Sequence, residues 1–222
     1  MYTLEEQAVL EVTQRLSADG WTQTDYEEPA FAIQGTADVF FQVSLNQTAK
    51  DYGVAFFPSL GVRHVETSRL VAQFKGLQPS AGEGVASFGC GLADLLYLHG
   101  YEMAPFKRWL IRDSGAIDAV VTLLCEDLET YAAPFFRSLS TLGAIIDRIE
   151  QEKRHQAQSG HLAVANALAG RTSQALDALS EYAEAARSQR PPMSTQSWGF
   201  IESFIDYFRV DRSSLPFELG SR

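Results

Sequence analysis

The spacing of apolar residues is helical at the start of the chain. The recurring apolar positions are Ala8, Val9, Val12 and Leu16. A capping box formed by Thr3 and Glu6 predicts where this helix begins, and Asp19-Gly20 predicts where it ends. We expect an amphipathic first helix whose outward face carries Glu5, Glu6 and Glu11.

The spacing then changes to the alternation that is typical of strands. Apolar side chains occupy every second position of residues 39–45, and residues 31–34 precede them across a short turn, which predicts a hairpin. A run toward His64 predicts a third strand, and residues 68–74 then turn helical. The alternation that leads into this strand is carried by Tyr52, Val54 and Phe56. The sheet is therefore expected to be antiparallel and meandering.

Further strands are indicated later in the chain. Gly89 and Gly91 alternate with apolar neighbours, which predicts a strand that another backbone approaches closely. Residues 106–112, centred on Trp109, predict another strand. Ser114 is expected to cap the helix that follows.

The rest of the chain has helical spacing. Pro134 is expected to separate the helix after Ser114 from a helix over residues 139–149. The complete pattern predicts an α+β fold, with a meandering, mainly antiparallel sheet and flanking helices, followed by an all-α C-terminal extension. The predicted organisation is an α+β domain over residues 1–152, a polar linker over 153–160, a helical hairpin with a third helix over 161–210, and a tail over 211–222.

Two parts of this order resemble known families. A leading helix, a meandering sheet, the segment around Trp109 and Ala133-Pro134-Phe135-Phe136 before the next helix resemble a widespread family of uncharacterised bacterial α+β proteins. Some members of that family are grouped with the immunity proteins of polymorphic toxin systems. The resemblance covers roughly residues 3–152 and implies an α+β fold and a protein-binding role. It brings no catalytic motif to map onto this chain.

The segment 161–186 resembles one helical pair of the tetratricopeptide type. Small residues at Ala163, Ala167 and Ala175 allow close helix approach, and Gly170 lies in the turn. A single pair does not form an array, because such repeats bury their faces against neighbours. The helix over residues 198–208 is expected to cover it.

Charge is concentrated at one end of the chain. The net charge is -10, and the first thirty residues hold seven acidic side chains against one cation, Arg15. This field favours a basic partner and opposes binding to nucleic acid or to an anionic membrane. The expected partner-binding residues are Glu5, Glu6, Glu11, Trp21, Asp25, Tyr26, Glu27 and Glu28.

Motifs for catalysis, metal binding or cofactor binding are not found in the sequence. Neither Cys90 nor Cys125 belongs to a CxxC pair, and both are expected to be buried free thiols. The histidines lack metal-site spacing, and no phosphate-binding loop is complete. We therefore expect no metal and no cofactor. Without a long apolar run or a basic leader, the chain is expected to be cytoplasmic.

Three hypotheses remain. The first is an immunity or antitoxin-like protein that covers a basic partner with its acidic N-terminal face. The second is an adaptor whose C-terminal helices receive a peptide or a second copy of the chain, so a homo-oligomer stays open. The third is an enzyme centred on Asp94, His99 or the segment from Arg108 to Arg112. The alternative for Arg108 is pairing with Glu126, Asp127 or Glu129 on the following helix.

Overall fold

The computed structural model describes residues 2–25, 29–78, 86–101, 108–152 and 156–218. The helices are α1 (Leu4–Ala18), α2 (Val65–Phe74), α3 (Leu92–Leu98), α4 (Ile117–Asp127), α5 (Ala133–Ser138), α6 (Leu142–Gln151), α7 (Gln156–Leu168), α8 (Thr172–Ser188) and α9 (Met193–Phe208). The strands are β1 (Thr22–Asp25), β2 (Ala30–Gln34), β3 (Val39–Ser44), β4 (Thr48–Lys50), β5 (Gly53–Ala55), β6 (Ser59–His64), β7 (Phe88–Gly91) and β8 (Leu110–Ile111). Across these described ranges, no helix is long and apolar enough to cross a lipid bilayer.

The predicted α+β class is confirmed, with antiparallel strand pairs and helices that dominate the C-terminal part. The predicted capping box of α1 is also present, because the Thr3 backbone N–H donates to Glu6 Oε2 at 2.7 Å and the Glu6 N–H donates to Thr3 Oγ1 at 3.2 Å. The hairpin of β2 and β3 forms in the expected place, with Phe31 opposite Val43 and Ile33 opposite Phe41.

The strands form two sheets, whereas the sequence pattern predicts one meander. The larger sheet has the order β1-β2-β3-β6-β7, and the smaller has the order β4-β5-β8. Residues 53–55 leave the large sheet and pair with β8, where Val54 lies opposite Ile111. Pro58 separates β5 from β6, and its lack of a backbone N–H explains why the alternation does not continue as one strand. Its carbonyl instead accepts from the Leu92 N–H at 2.9 Å.

Glycine clearance at β7 is confirmed. A Cβ added at Gly89 would lie 2.6 Å from the carbonyl oxygen of Leu60, so only glycine allows this backbone approach. The expected strand over residues 106–112 is shorter in the described part, where only Leu110–Ile111 pair.

Two helix-boundary predictions were wrong. Asp113, not Ser114, caps the next segment by accepting from the Gly115 N–H at 3.0 Å, and a short 3-10 turn leads into α4. Pro134 does not separate two helices, since α4 continues through a π-helical turn, Leu128–Ala132, into α5. Pro134 is the second residue of α5 and has no backbone N–H to donate within this continuous segment, and the π turn directly precedes α5.

The chain divides into two compact units that are interleaved in sequence. The sheet unit contains residues 1–62 and 89–140, and the helical unit contains residues 63–88 and 141–222. Helix α7 begins at Gln156, inside the segment expected to be a polar linker. The expected α+β domain over residues 1–152 and the expected helical part over residues 161–210 stay predictions.

The helical unit is built around α7, in which residues 159–166 are all buried. Helix α9 packs against α8 and α2 through Phe200, whose ring centroid lies 4.7 Å from that of Tyr182 and 5.6 Å from that of Phe74. Ile201, Phe204 and Ile205 are at most 2% exposed. The apolar stripe that the adaptor hypothesis offered to a peptide is therefore largely used inside this unit.

Candidate functional site

The sheet unit contains a pocket of about 520 Å³ between α1, the β2–β3 hairpin and the continuous segment from α4 to α5. This volume lies within the range of about 300–1,000 Å³ that is usual for ligand sites. Apolar side chains form most of its wall: Leu16, Trp21, Ile33, Phe41, Leu128 and Phe136. Charged side chains also line it: Arg15, Asp19, Glu126, Glu129 and Arg137.

Three aromatic rings form the apolar wall. The rings of Phe41 and Phe136 stack with centroids 4.8 Å apart and planes inclined by 15°. The Trp21 ring lies 6.1 Å from Phe136 and is tilted by 53°. Phe136 is buried, whereas Trp21 and Phe41 are half-buried and present part of their surface to the pocket. The pocket thus offers aromatic faces for stacking.

Backbone geometry fixes two of these rings. Trp21 follows the end of α1, where its N–H donates to the Leu16 carbonyl at 2.9 Å. Phe41 lies over Gly35 in the β2–β3 turn, and a Cβ added at Gly35 would be only 2.4 Å from the Phe41 ring. Glycine at position 35 therefore leaves the space that this ring occupies.

Arg15 joins the two helices beside the pocket. Its Nε donates to Glu11 at 2.9 Å, its Nη1 donates to Thr122 at 2.6 Å, and its Nη2 pairs with Asp118. The Glu11 and Asp118 interactions raise the pKa of Arg15. Two carboxylates thus compensate this cation, so it contributes little free positive charge to the pocket.

The remaining carboxylates of the pocket are uncompensated. Across the part of the chain that the structure describes, the side chains of Asp19, Glu126 and Glu129 make no hydrogen bond or ion pair, and all three residues are exposed. The Arg137 side chain has no ion-pair partner there either. With Arg15 compensated, three carboxylates face one cation, so the pocket is electronegative.

Pocket residues and a buried polar cluster lie next to each other where α4 meets the π-helical turn Leu128–Ala132. Glu126, Leu128 and Glu129 line the pocket, whereas Asp127, which lies between them in sequence, is 3% exposed and belongs to the buried cluster. A π turn inserts an extra residue into a helix and is frequently found at functional sites.

The buried cluster confirms the alternative given for Arg108. Its Nε and Nη2 donate to the two Asp127 oxygens, each at 2.6 Å, and Trp109 Nε1 donates to Asp127 at 2.9 Å. The Arg108 guanidinium also lies 4.7 Å from the centroid of the Tyr101 ring. Asp127 raises the pKa of Arg108. The charge of Arg108 is thereby compensated, which removes it as an anion site.

The other residues of the enzyme hypothesis have local structural roles. Asp94 is exposed and accepts from the Gly91 N–H at 2.9 Å at the start of α3. His99 Nδ1 lies 2.7 Å from the Leu95 carbonyl oxygen at the end of the same helix. Neither residue lines the pocket, and Arg108 does not line it either.

The expected partner-binding residues are distributed as follows. Trp21 lines the pocket, and Glu11 reaches its edge through Arg15. Glu5 lies in the first turn of α1 and Glu6 in its capping box, while Asp25 is exposed at the end of β1. Tyr26, Glu27 and Glu28 lie outside the described residues.

Sequence reasoning missed several residues of the pocket. The sequence does not predict that the rings of Phe41 and Phe136 stack, because no local pattern indicates which aromatic residues far apart in the chain will meet. Glu126 and Glu129 were considered as partners of Arg108 and not as a pair, although their spacing of three along a helix places them on one side. This spacing was the one available signal for an acidic rim.

The described residues give little support for metal or thiol chemistry. Among the residues that the structure describes, no group of His, Cys, Asp or Glu is arranged to hold a metal ion. Cys125 lines the pocket and is free, but burial raises the pKa of its thiol, which disfavours the reactive thiolate. Both cysteines are free, as expected, but they are half-buried and not buried.

Comparisons with protein-family models, with curated proteins and with solved structures gave no match.

Proposed function

We propose that this protein binds a basic partner protein through its sheet unit, in an immunity or antitoxin-like role. The observation that carries the proposal is the pocket with an aromatic wall and with carboxylates at Asp19, Glu126 and Glu129 that make no ion pair within the described part of the chain. Such a pocket combines an apolar anchor site with a negative field. Recognition without chemistry fits it better than catalysis, since Asp94, His99 and Arg108 are engaged elsewhere.

The charge distribution supports a basic partner. Seven acidic side chains and one cation lie in the first thirty residues, and the whole chain carries a net charge of -10. A field of this kind speeds the approach of a positive surface and repels polyanions. Affinity then depends on a few desolvated anchors, which are often aromatic. Trp21 is in the right place to be one, because it lines the pocket.

A cytoplasmic setting is part of the proposal. Cys90 and Cys125 are both free thiols. Such thiols persist in reducing compartments, where an antitoxin-like protein would meet a toxin before export or after entry.

The test is capture of the partner by the protein with and without the acidic side chains of Glu126 and Glu129. The tagged full-length protein is incubated with native lysate at low and moderate salt, and bound proteins are identified by mass spectrometry. We expect one basic protein in a fixed ratio, released as salt rises. The double variant Glu126→Lys and Glu129→Lys should lower the affinity for that protein by about tenfold or more.

A matched control separates the pocket from the net charge. The variant Glu150→Lys and Asp177→Lys makes the same charge change on exposed side chains of the helical unit. It should lower the association rate slightly and leave the dissociation rate unchanged. If both double variants weaken the complex equally, or if only the protein itself is recovered, the proposed function is wrong.

A further inference from the structure

We infer that the pocket receives an arginine side chain, whose stem lies against the aromatic wall and whose guanidinium pairs with the carboxylates of Glu126 and Glu129. The inference rests on the proposed function, since the basic partner supplies the arginine. It adds the identity of the anchor residue and therefore a selectivity that a general acidic surface would not have.

The composition of the pocket excludes other simple occupants. An apolar side chain would fill the wall but would cover free carboxylates without pairing them, which costs more than it gains. An acidic side chain would meet Asp19, Glu126 and Glu129 with charge of the same sign. An occupant that packs against the aromatic wall and also pairs with the carboxylates needs an apolar stem and a positively charged end group.

Among positive side chains, arginine matches the wall better than lysine. A guanidinium is planar, is weakly hydrated and stacks on aromatic faces, and it donates to carboxylates in pairs. A lysine ammonium is strongly hydrated and gives up more on entering a partly apolar site. The half-buried rings of Trp21 and Phe41 provide the faces that favour the guanidinium.

The same unit already holds an arginine in this way. Arg108 lies 4.7 Å from the centroid of the Tyr101 ring and donates twice to Asp127 at 2.6 Å. An aromatic face and a carboxylate therefore suffice to hold a guanidinium in this protein. The pocket presents the same two components, and among the described residues its carboxylates at Glu126 and Glu129 make no ion pair.

The experiment uses three short capped peptides, acetyl-Gly-X-Gly-amide with arginine, lysine or leucine at X, added to the full-length protein. Binding is followed by nuclear magnetic resonance of the indole N–H groups. Trp21 lines the pocket, whereas Trp109 is fully buried with its indole bound to Asp127, and Trp198 belongs to the helical unit. The variant Trp21→Phe assigns the reporting signal.

The arginine peptide should shift the Trp21 signal saturably and leave Trp109 and Trp198 unchanged. The lysine peptide should bind about tenfold more weakly, a factor that corresponds to about 1.4 kcal/mol. The leucine peptide should give no saturable shift. The variant Glu126→Gln and Glu129→Gln should weaken arginine binding about tenfold, while Glu150→Gln and Asp177→Gln should not change it.

The outcomes separate this inference from the proposed function. Equal binding of lysine and arginine, saturable binding of leucine, or no movement of the Trp21 signal would each overturn the arginine anchor. If the captured basic protein is still retained in any of these cases, the proposed function survives. A selective response to arginine in a protein that captures no basic partner would support the guanidinium site and overturn the partner.

Discussion

The two units of this protein differ in how far they bury their polar and aromatic side chains. The helical unit closes around α7 so completely that even His161 and Asn166 are buried, at 4% and 0% exposure. Among the described residues, the His161 Nδ1 and the Asn166 amide have no hydrogen-bond partner. The sheet unit instead leaves aromatic faces and charged groups open around a pocket. Closed packing contributes to stability, and the open pocket is the feature on which the proposed binding role rests.

The largest expected contrast comes from the same truncation made once in each unit. Phe204→Ala removes a ring that is 1% exposed and should lower the free energy of unfolding by about 3–5 kcal/mol. Phe41→Ala removes a half-buried ring of the pocket and should cost clearly less stability, while it abolishes binding of the arginine peptide. Chemical denaturation and the Trp21 signal, recorded on both variants, measure the two effects.

Two results would contradict this contrast between the units. Loss of arginine binding in folded Phe204→Ala would mean that binding does not belong to the sheet unit. A stability loss in Phe41→Ala as large as that in Phe204→Ala would make the pocket part of the core.

A second contrast concerns acid. Burial, with a smaller contribution from Lys75, lowers the pKa of His161 to about 3, whereas its ordinary value is 6.5. The unfolded chain therefore takes up a proton as the pH falls below 6.5, and the folded chain does not until about pH 3. Stability from this group is complete above pH 6.5 and declines below it. The loss should reach about 2 kcal/mol at pH 5.

Denaturation curves at pH 7 and pH 5 measure this loss. His161→Leu should reduce the difference between the two curves, because the titrating group is gone. His99→Gln, a change at an exposed histidine, serves as the control and should retain the difference. A decline that persists unchanged in His161→Leu would assign it to other groups.

The sequence predicts the parts of the fold that depend on neighbours along the chain. The capping box of Thr3 and Glu6, the β2–β3 hairpin and the clearance at Gly89 all follow from local spacing. The exchange of β5 into a second sheet does not, because its partner, β8, lies far along the chain. Local alternation is identical whichever sheet a strand joins.

The residues of the candidate site also differ in whether the sequence predicts them. Trp21 was predicted as an anchor because it is an aromatic residue within the acidic segment. Phe41 and Phe136 were not, because their stacking depends on the way in which the hairpin meets the segment from α4 to α5. The pairing of Arg108 with Asp127 was foreseen as one of three choices, and the choice depends on which side of α4 meets Arg108 in the folded chain.

A smaller effect is expected at Gly35. Gly35→Ala places a methyl group against the Phe41 ring, which lines the pocket and must move. Overpacking of this kind costs about 1–3 kcal/mol where a ring is held firmly, and less where it is free to shift. We expect a small loss of stability and about a three- to tenfold loss of arginine affinity. Gly143→Ala, where the space is open, should change neither quantity. Full affinity in Gly35→Ala would show that the position of Phe41 does not matter for binding.

The smallest expected effect has the opposite sign. Arg137 lines the pocket without an ion-pair partner among the described residues, so it repels an entering guanidinium. Arg137→Gln should therefore strengthen binding of the arginine peptide about two- to threefold, with a larger gain at low salt, as for exposed charges in general. Arg190→Gln changes the net charge equally in the helical unit and should have no such effect. Weaker binding in Arg137→Gln would mean that Arg137 supports the site, by contacting the peptide or by positioning its carboxylates, and the repulsion assigned to Arg137 would be wrong.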